Sequence, residues 1–411
     1  MADSGHTAWL LTATALVFFM TPGLAFFYGG LVRAKNLVNT IMLSFMSIAV
    51  VSIVWVLWGY SLAFGTGNAY IGDLSLLGLS GVPFASGEGD AYPELAFVSF
   101  QMMFAIITPA LITGAFAERF QIKTYLIFLV LWSTLVYSPI THWVWAEKGW
   151  LLELGALDFA GGTVVHISSG FAALAGALVL GRRLGYGKVP MEPHNIPMVV
   201  LGAGILWFGW FGFNAGSEVM VDGITVSAWT VTNTATGMAA VTWVLMSWAH
   251  TGKPSVVGAA SGAVAGLVAI TPASGWVGPM AAIIIGIAAG TICYAAIAFK
   301  SARKWDDALD VWGVHGMGGL TGAILTGTLA SPHVWDTGDG IGAWTGTAEG
   351  MEQQAISIIG AAISIGYAFG VTIVILKVMD AVWPGGIRVT PKEEEIGLDL
   401  AQHGERAYVN E

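Results

Sequence analysis

Long unbroken apolar stretches decide what this chain can be. A helix needs about 20 mostly apolar residues to cross the hydrocarbon of a bilayer. Eleven such stretches run at approximately 8–30, 40–65, 94–117, 123–142, 159–181, 196–215, 224–249, 255–273, 276–299, 311–330 and 353–377. A membrane barrel would read instead as alternating segments of roughly ten residues. Of the 411 residues 55% are hydrophobic and only 10% charged, against roughly a quarter charged in an average soluble domain. Mean hydropathy is +0.73. A soluble enzyme, a disordered chain and a disulfide-stapled secreted domain are therefore excluded. Cys293 is the only cysteine, so neither an internal disulfide nor a cysteine metal cluster can form. The expected class is an all-α polytopic membrane protein in a lipid bilayer, with no nucleic-acid partner.

Lysine and arginine set the expected orientation. Arg33, Lys35, Arg119, Lys123, Arg182, Arg183, Lys188, Lys253, Lys300, Arg303 and Lys304 fall in the odd-numbered connections, and Lys377, Arg388, Lys392 and Arg406 follow the last span. Lys148 alone lies on the other side. Positive residues mark the cytoplasmic side, so the amino terminus is expected outside and the carboxyl terminus inside. The opening Met1 to His6 has no basic run before the first apolar stretch, and no secretory signal is expected.

Spans 1–5 (about 8–181) and 6–10 (about 196–330) read as two five-helix halves of opposite orientation, with a final helix at about 353–377. Span 5 opens Asp158-Phe159-Ala160-Gly161-Gly162-Thr163-Val164-Val165-His166, and span 10 opens Asp310-Val311-Trp312-Gly313-Val314-His315. At 1.5 Å per residue, His166 lies about 12 Å past Asp158 and His315 about 8 Å past Asp310. The two histidines thus approach mid-membrane from opposite faces. Inverted repeats with a site near the midplane mark transporters.

No Asp, Glu, Lys or Arg falls in the middle of a span, and of eight histidines only His166 and His315 are deep. His6, His142, His194, His250, His333 and His403 lie in loops, tails or span ends. An ionisable group inside a membrane points to function. The plainer reading, a helix–helix hydrogen bond, suits one buried histidine better than two in corresponding places. Phe104, Trp145, Trp210, Phe213 and Ser217 gather towards the outer ends of spans 3, 4 and 6. Interfacial tryptophan is common for reasons unrelated to binding. An aromatic cation site, in which a ring face attracts an ammonium-type ion, is the functional reading. Gly258, Gly262 and Gly266, spaced by four in span 8, read as helix packing, and Cys293 as a small core residue.

Five stretches together resemble the ammonium transporter (ammonium/methylammonium permease/Rhesus) family, in its microbial branch. They are Pro22 to Gly30, Phe100 to Ala105, Asp158 to His166, Gly209 to Ser217 and Asp310 to Gly319. The resemblance implies that Trp145 and Ser217, with Phe104, form an outer ammonium recruitment site. Phe104 and Phe213 would close the pore below it, and His166 and His315 would be twin histidines of the lumen, with Trp210 beside them. Asp158 would hold local structure and favour a cation without touching it. Asp310 is expected to act structurally or electrostatically at the other end. The resemblance also implies a homotrimer in the cell membrane with one pore per subunit, methylammonium as a substrate analogue, and no enzymatic activity. Residues 1–380 would form the transporter domain. Residues 381–411 would form a cytoplasmic regulatory tail, near which a PII-type nitrogen-signalling protein binds in many bacterial members.

The residues suggest how such a pore separates ammonium from potassium: ammonium can give up a proton, and potassium cannot. Ammonium would be deprotonated near the gate, and ammonia conducted past histidines that carry the proton separately, an electrogenic process; were the proton to stay outside, the pore would be an electroneutral gas channel, and the sequence does not choose between the two. A membrane ammonium sensor that signals through its tail with little flux is the alternative. A metalloenzyme is disfavoured, because two deep histidines fall short of the three ligands that catalytic zinc takes; no cofactor or metal is expected. A water pore is disfavoured because Phe104 and Phe213 would block it.

Overall fold

The computed structural model describes residues 3–85, 87, 89–331 and 341–408. His333 and the last three residues of the tail lie outside them. Among the described residues the chain is helical, with no strand and one isolated bridge between Phe120 and Arg388.

Each predicted window is occupied by a helical stretch. In chain order these are α1 (Ser4–Leu31), α2 (Leu37–Val54, continuing through a π-helical turn into Tyr60–Phe64), α3 (Glu94–Phe116) and α4 (Ile122–Trp132, continuing through a π-helical turn into Ser138–Trp145). Then come α5 (Gly162–Ile167 as a π-helical turn, then Ser168–Leu180), α6 (Ile196–Ala215), α7 (Gly223–Thr251), α8 (Val256–Ile270) and α9 (Pro279–Arg303). Last are α10 (Trp312–Gly316 as a π-helical turn, then Met317–Leu329) and α11 (Ala348–Val382). A short α12 (Pro391–Ile396) follows in the tail.

Eight stretches among the described residues are long and apolar enough to cross a membrane. The exceptions are α8, apolar but only 15 residues, α7, long but rich in threonine, and α10, rich in glycine. Side-chain caps set several starts. Asp3 accepts from the backbone N–H of Gly5 and His6 at α1, and Asp222 forms a capping box with Thr225 at α7. α11 is longer than its predicted window, 35 residues, or about 52 Å at the helical rise.

Glycine lets the helices meet backbone to backbone, as small residues do in membranes. A Cβ on Gly202 of α6 would lie 2.2 Å from the Phe27 nitrogen of α1. On α8, Gly262 and Gly266 face Trp243, Ala239 and Ala235 of α7, the packing role expected of that spacing. Cys293 is buried in α9 with its thiol 3.8 Å from the Val314 carbonyl.

One end of the bundle is tied by charge. Arg33, after α1, donates to the Glu118 carboxylate at 2.6 and 2.8 Å. Arg183, after α5, donates to Asp306 at 2.8 Å and reaches Glu118 at 3.4 Å. Arg119, with 0% of its surface exposed, donates to the carbonyls of Gly181, Ala117 and Asp306. Four connections are joined in this way. The tail lies on the same end. Leu398 N–H donates to Asn36 Oδ1, Asn39 N–H donates to Asp399 Oδ1, Arg388 donates to Glu394, and Lys35 donates to the carbonyls of Glu394 and Glu395.

Burial disfavours the Glu118 carboxylate, but the hydrogen bonds from Arg33 and the charges of Arg183 and Arg33 outweigh it and hold the carboxyl below its ordinary range. Burial likewise opposes ionisation of Asp306, and Arg183 and Arg119 overcome it. A carboxyl whose pKa is depressed by folding stabilises the fold above its unfolded value near 4 and loses that contribution as pH falls through the folded value. Thermal stability in detergent should therefore be insensitive to these groups from pH 8 to about 5 and fall below that. Glu118→Gln, which removes the carboxylate partner of Arg33 while Arg183 keeps Asp306, should cost about 1–3 kcal/mol at neutral pH and flatten the acid limb, as read by melting curves against pH.

Candidate functional site

The site is assembled by helix starts. Before α5, the Asp158 carboxylate accepts from the backbone N–H groups of Gly161, Gly162 and Thr163 at 2.9, 2.6 and 2.8 Å, and from the Thr163 hydroxyl. These are donors that the first turn of a helix leaves without partners. Gly161 has φ +112, a left-handed conformation, and a Cβ there would meet Val165 at 2.7 Å; this turn requires glycine. The predicted start at 159 is thus moved to Gly162. Before α10, Asp307 plays the same part, accepting from Val311 N–H at 3.1 Å and Trp312 N–H at 2.8 Å.

Both helices open with a π-helical turn that carries the histidine, and they cross reciprocally. A Cβ on Gly170, four residues after His166, would lie 2.1 Å from the Gly316 nitrogen. One on Gly319, four residues after His315, would lie 2.9 Å from His166 Cβ and 3.0 Å from the Gly162 carbonyl. This crossing brings the rings together: His166 Nδ1 and His315 Nδ1 are 3.2 Å apart. At that distance one nitrogen carries the proton and the other accepts it. His166 Nε2 is buried with no hydrogen-bond partner in the protein.

Aromatic rings cover the pair on one side. The His166 ring stacks on Trp210 at 5.3 Å and on Phe213 at 5.9 Å. Trp210 is pinned by its indole N–H donating to Thr271 Oγ1 at 2.9 Å. Phe213 meets Phe104 with centroids 4.3 Å apart, and both are fully buried. Trp145 presents an edge-to-face contact to Phe104 at 5.8 Å and spends its N–H on the Asp158 carbonyl at 2.9 Å. The Ser217 hydroxyl donates to the Phe213 carbonyl at 2.8 Å, which leaves its lone pairs free to accept.

Around the histidines lies a narrow, mostly apolar cavity lined by Leu24, Phe27, Ile107, Val165, Leu206 and Val264 among others. Its walls offer a water few of the polar partners it needs. Below His315 the space widens to a vestibule of about 640 Å³ lined by Tyr28, Leu31, Met191, Ser261 and Asp310. The Phe104–Phe213 ring pair, a narrow apolar cavity holding the two imidazoles in contact, and a wider, more polar cavity follow one another.

The Ammonium Transporter Family model matches residues 8–408. The chain belongs to the ammonium transporter family. It is 49% identical to the ammonium transporter of Bacillus subtilis, over 98% of both chains. It is 47% identical to ammonium transporter Amt1 of Archaeoglobus fulgidus, over 99% of this chain and 100% of the other. The fold resembles the crystal structure of Candida albicans Mep2, with a TM-score of 0.89, 40% identity, and coverage of 99% and 90%. This is a family of transporters, not of enzymes, and the chain is a multi-pass membrane protein of that family.

Of the residues singled out in this ammonium transporter family member, Phe104, Trp145, Phe213, Trp210, His166 and His315 form one chain of ring contacts. Ser217 joins it through the Phe213 carbonyl, and Asp158 through Trp145. Asp310 does not match Asp158. It caps no helix, and it pairs instead with Lys300. The matching carboxylate is Asp307, which sequence reasoning missed although the signal was present: it stands eight residues before its histidine, as Asp158 does. Thr271, which fixes Trp210, carries no sequence signal.

The crossing is testable. Gly170→Ala sets a methyl against backbone that cannot yield, and overpacking of this kind costs about 1–3 kcal/mol. The variant should melt lower than wild type and lose at least about tenfold in ammonium uptake, since small misplacements at a reacting site cost this much or more. Gly366→Ala on α11, with nothing within 4 Å of its Cβ, should leave both unchanged.

Proposed function

We propose that the protein carries ammonium across the cell membrane by separating it into ammonia and a proton inside the pore. The observation that carries this reading is the 3.2 Å contact between His166 Nδ1 and His315 Nδ1 in an apolar lumen beneath the Phe104 and Phe213 rings. Trp145, Phe104 and Ser217 recruit the ion at the outer side. The indole N–H of Trp145 is engaged by the Asp158 carbonyl, so its ring face is what remains for a cation, an attraction of about 0.5–2 kcal/mol. Ser217 accepts one N–H bond.

Passage of the intact ion through a dry lumen costs several kcal/mol at least. Release of a proton near the gate removes that cost for ammonia, and no such release exists for potassium. Ammonia then moves along the lumen past Trp210, while the proton travels by a route that includes the histidine pair. One Nδ1 donates and the other accepts, so the pair passes a proton without holding two. Net transport is electrogenic.

Eleven spans, amino terminus outside and carboxyl terminus inside, make the pathway continuous. The one-sided placement of lysine and arginine supports that orientation, and the reciprocal glycine crossing of α5 and α10 supports two inverted five-helix halves closed by α11. Residues 1–380 then form the transporter domain. The remaining tail, which lies against the Arg33–Glu118 end, is regulatory and is a place for a PII-type partner. A homotrimer with one pore per subunit follows the family pattern.

Replacement of His166 or His315 by Ala should reduce ammonium-evoked current at least about tenfold or admit potassium, as measured on reconstituted protein over a solid-supported membrane. Undiminished, potassium-excluding current in both variants would refute the mechanism. Failure of the wild type to take up methylammonium in a transport-deficient cell would favour the sensor reading.

A further inference from the structure

His142 stands outside the chain of ring contacts, yet it is fully buried and both of its ring nitrogens face carbonyl oxygens. Nδ1 lies 2.8 Å from the Ala63 carbonyl, and Nε2 lies 2.6 Å from the Asn68 carbonyl. A carbonyl only accepts. A neutral imidazole donates from one nitrogen and carries a lone pair on the other, so one of these contacts would set lone pair against lone pair. Only the imidazolium donates to both.

Two helix ends favour that charge. Ala63 lies in the last turn of α2, and His142 lies in the last turn of α4. The carbonyls of a helix's last turn carry partial negative charge, which draws a cation. The charged groups on the segments packed around the ring are engaged elsewhere or exposed. On the α2 side Asp73 accepts from Thr66 and Ser75, and Glu94 of α3 accepts from the Tyr60 hydroxyl. After α4, Glu147, Lys148 and Glu153 are exposed. Asp158 is spent on the opening of α5, and His166 of that opening faces His315. The phenols of Tyr60, Tyr137 and Tyr367 lie on neighbouring segments, and a phenol ordinarily keeps its proton up to about pH 10. Among the described residues no carboxylate forms an ion pair with His142, so the two carbonyls are what hold the ring.

Two further donors tie the same loop. The Trp143 indole N–H donates to the Tyr70 carbonyl at 2.6 Å, and the Trp150 backbone N–H donates to the Ala69 carbonyl at 3.2 Å. The chain after α4 folds back closely: a Cβ on Gly149 would lie 2.1 Å from the His142 carbonyl. That carbonyl accepts from the Ala146 N–H and closes the turn that carries Trp145, whose ring meets Phe104. Of these ties to the loop, only those of the histidine ring depend on a titrating proton. We propose that His142 is a proton-operated clamp: as an imidazolium it bonds the Ala63 and Asn68 carbonyls together and holds the turn that positions Trp145, and on deprotonation it lets one of them go. In the release one ring N–H bond breaks and its proton passes to water. The clamp is complete on the acid side and loosens as pH rises. His142 is a positioning residue that acts through Trp145, and its role rests on the ammonium-recruitment reading above.

The full chain in proteoliposomes provides the test. As pH is raised from about 5.5 to about 8, across the ordinary histidine range, the ammonium concentration giving half-maximal current should rise at least about threefold. In His142→Gln, whose amide donates at every pH, it should stay flat. A wild type whose half-saturation does not move with pH overturns the proposal, and so does a His142→Gln that moves as the wild type does. A merely structural role would lower the maximal current of the variant and leave that pH profile in place. Nitrogen NMR of isotope-labelled histidine reads the ring itself. The signal absent from His142→Gln should show both nitrogens protonated at about pH 5.5, and a neutral ring there overturns the clamp. Should His142→Gln not fold, Trp143→Phe, which removes the neighbouring tie to Tyr70, should steepen the wild-type profile, and an unchanged profile overturns the proposal. A wild type without ammonium current overturns the transport reading and this role with it. Failure of the clamp alone leaves the current in place with a flat profile.

Discussion

The contact between His166 and His315 depends on two helices approaching more closely than side chains normally allow. Gly170 and Gly319 each sit four residues past one histidine and against the backbone or Cβ of the other helix at its histidine turn. A Cβ at either place would force the helices apart. The hydrogen bond between the rings is short-range and directional, and would not survive that separation. The π-helical turns that open both helices shift the histidines relative to the glycine stripe, and the Asp158 and Asp307 carboxylates satisfy the donors those openings expose. The chemistry at mid-pore is thus held by backbone geometry at two helix starts.

The two ends of the bundle solve different problems. On the Trp145 side, rings touch rings from Trp145 through Phe104 and Phe213 to His166. There the Trp145 N–H and the Ser217 O–H are both taken by backbone carbonyls, which leaves the aromatic faces and the Ser217 lone pairs. On the other side, arginine and carboxylate lock the connections, and the tail is threaded into the same network through Asn36, Asn39 and Glu394. A buried charge that loses its partner is left without compensation, which is costly. Removal of any one partner is felt at once by connections far apart in the chain.

Much of this is legible in the sequence, for reasons that differ from residue to residue. The apolar windows reveal where the helices lie, because hydrocarbon thickness imposes a length that neighbours do not alter. Their ends are less legible. α5 begins at Gly162 because Asp158 and Gly161 build a turn first, and α11 outruns its window because Glu349 to Gln353, polar in sequence, still extend the helix. His166 and His315 stand out because nothing else ionisable is deep. Asp310 drew attention as the partner of Asp158 through its place at the mouth of span 10, yet capping belongs to Asp307. Lys300, a basic residue that marks one side of the membrane in the sequence, turns out to be buried against both aspartates' segments.

Alone, the sequence determined that this is a helical membrane protein of the ammonium transporter family, which side its basic residues share, and which two histidines are deep. Those properties follow from composition, periodicity and motif, each local along the chain. The tertiary structure decided which residues touch: the ring chain from Trp145 to His315, the pinning of Trp210 by Thr271, and the docking of the tail. Those depend on helices separated by tens to hundreds of residues. The close approaches that create them are set by where a Cβ is missing on one helix and a backbone atom is waiting on another, a match that no single stretch of sequence contains.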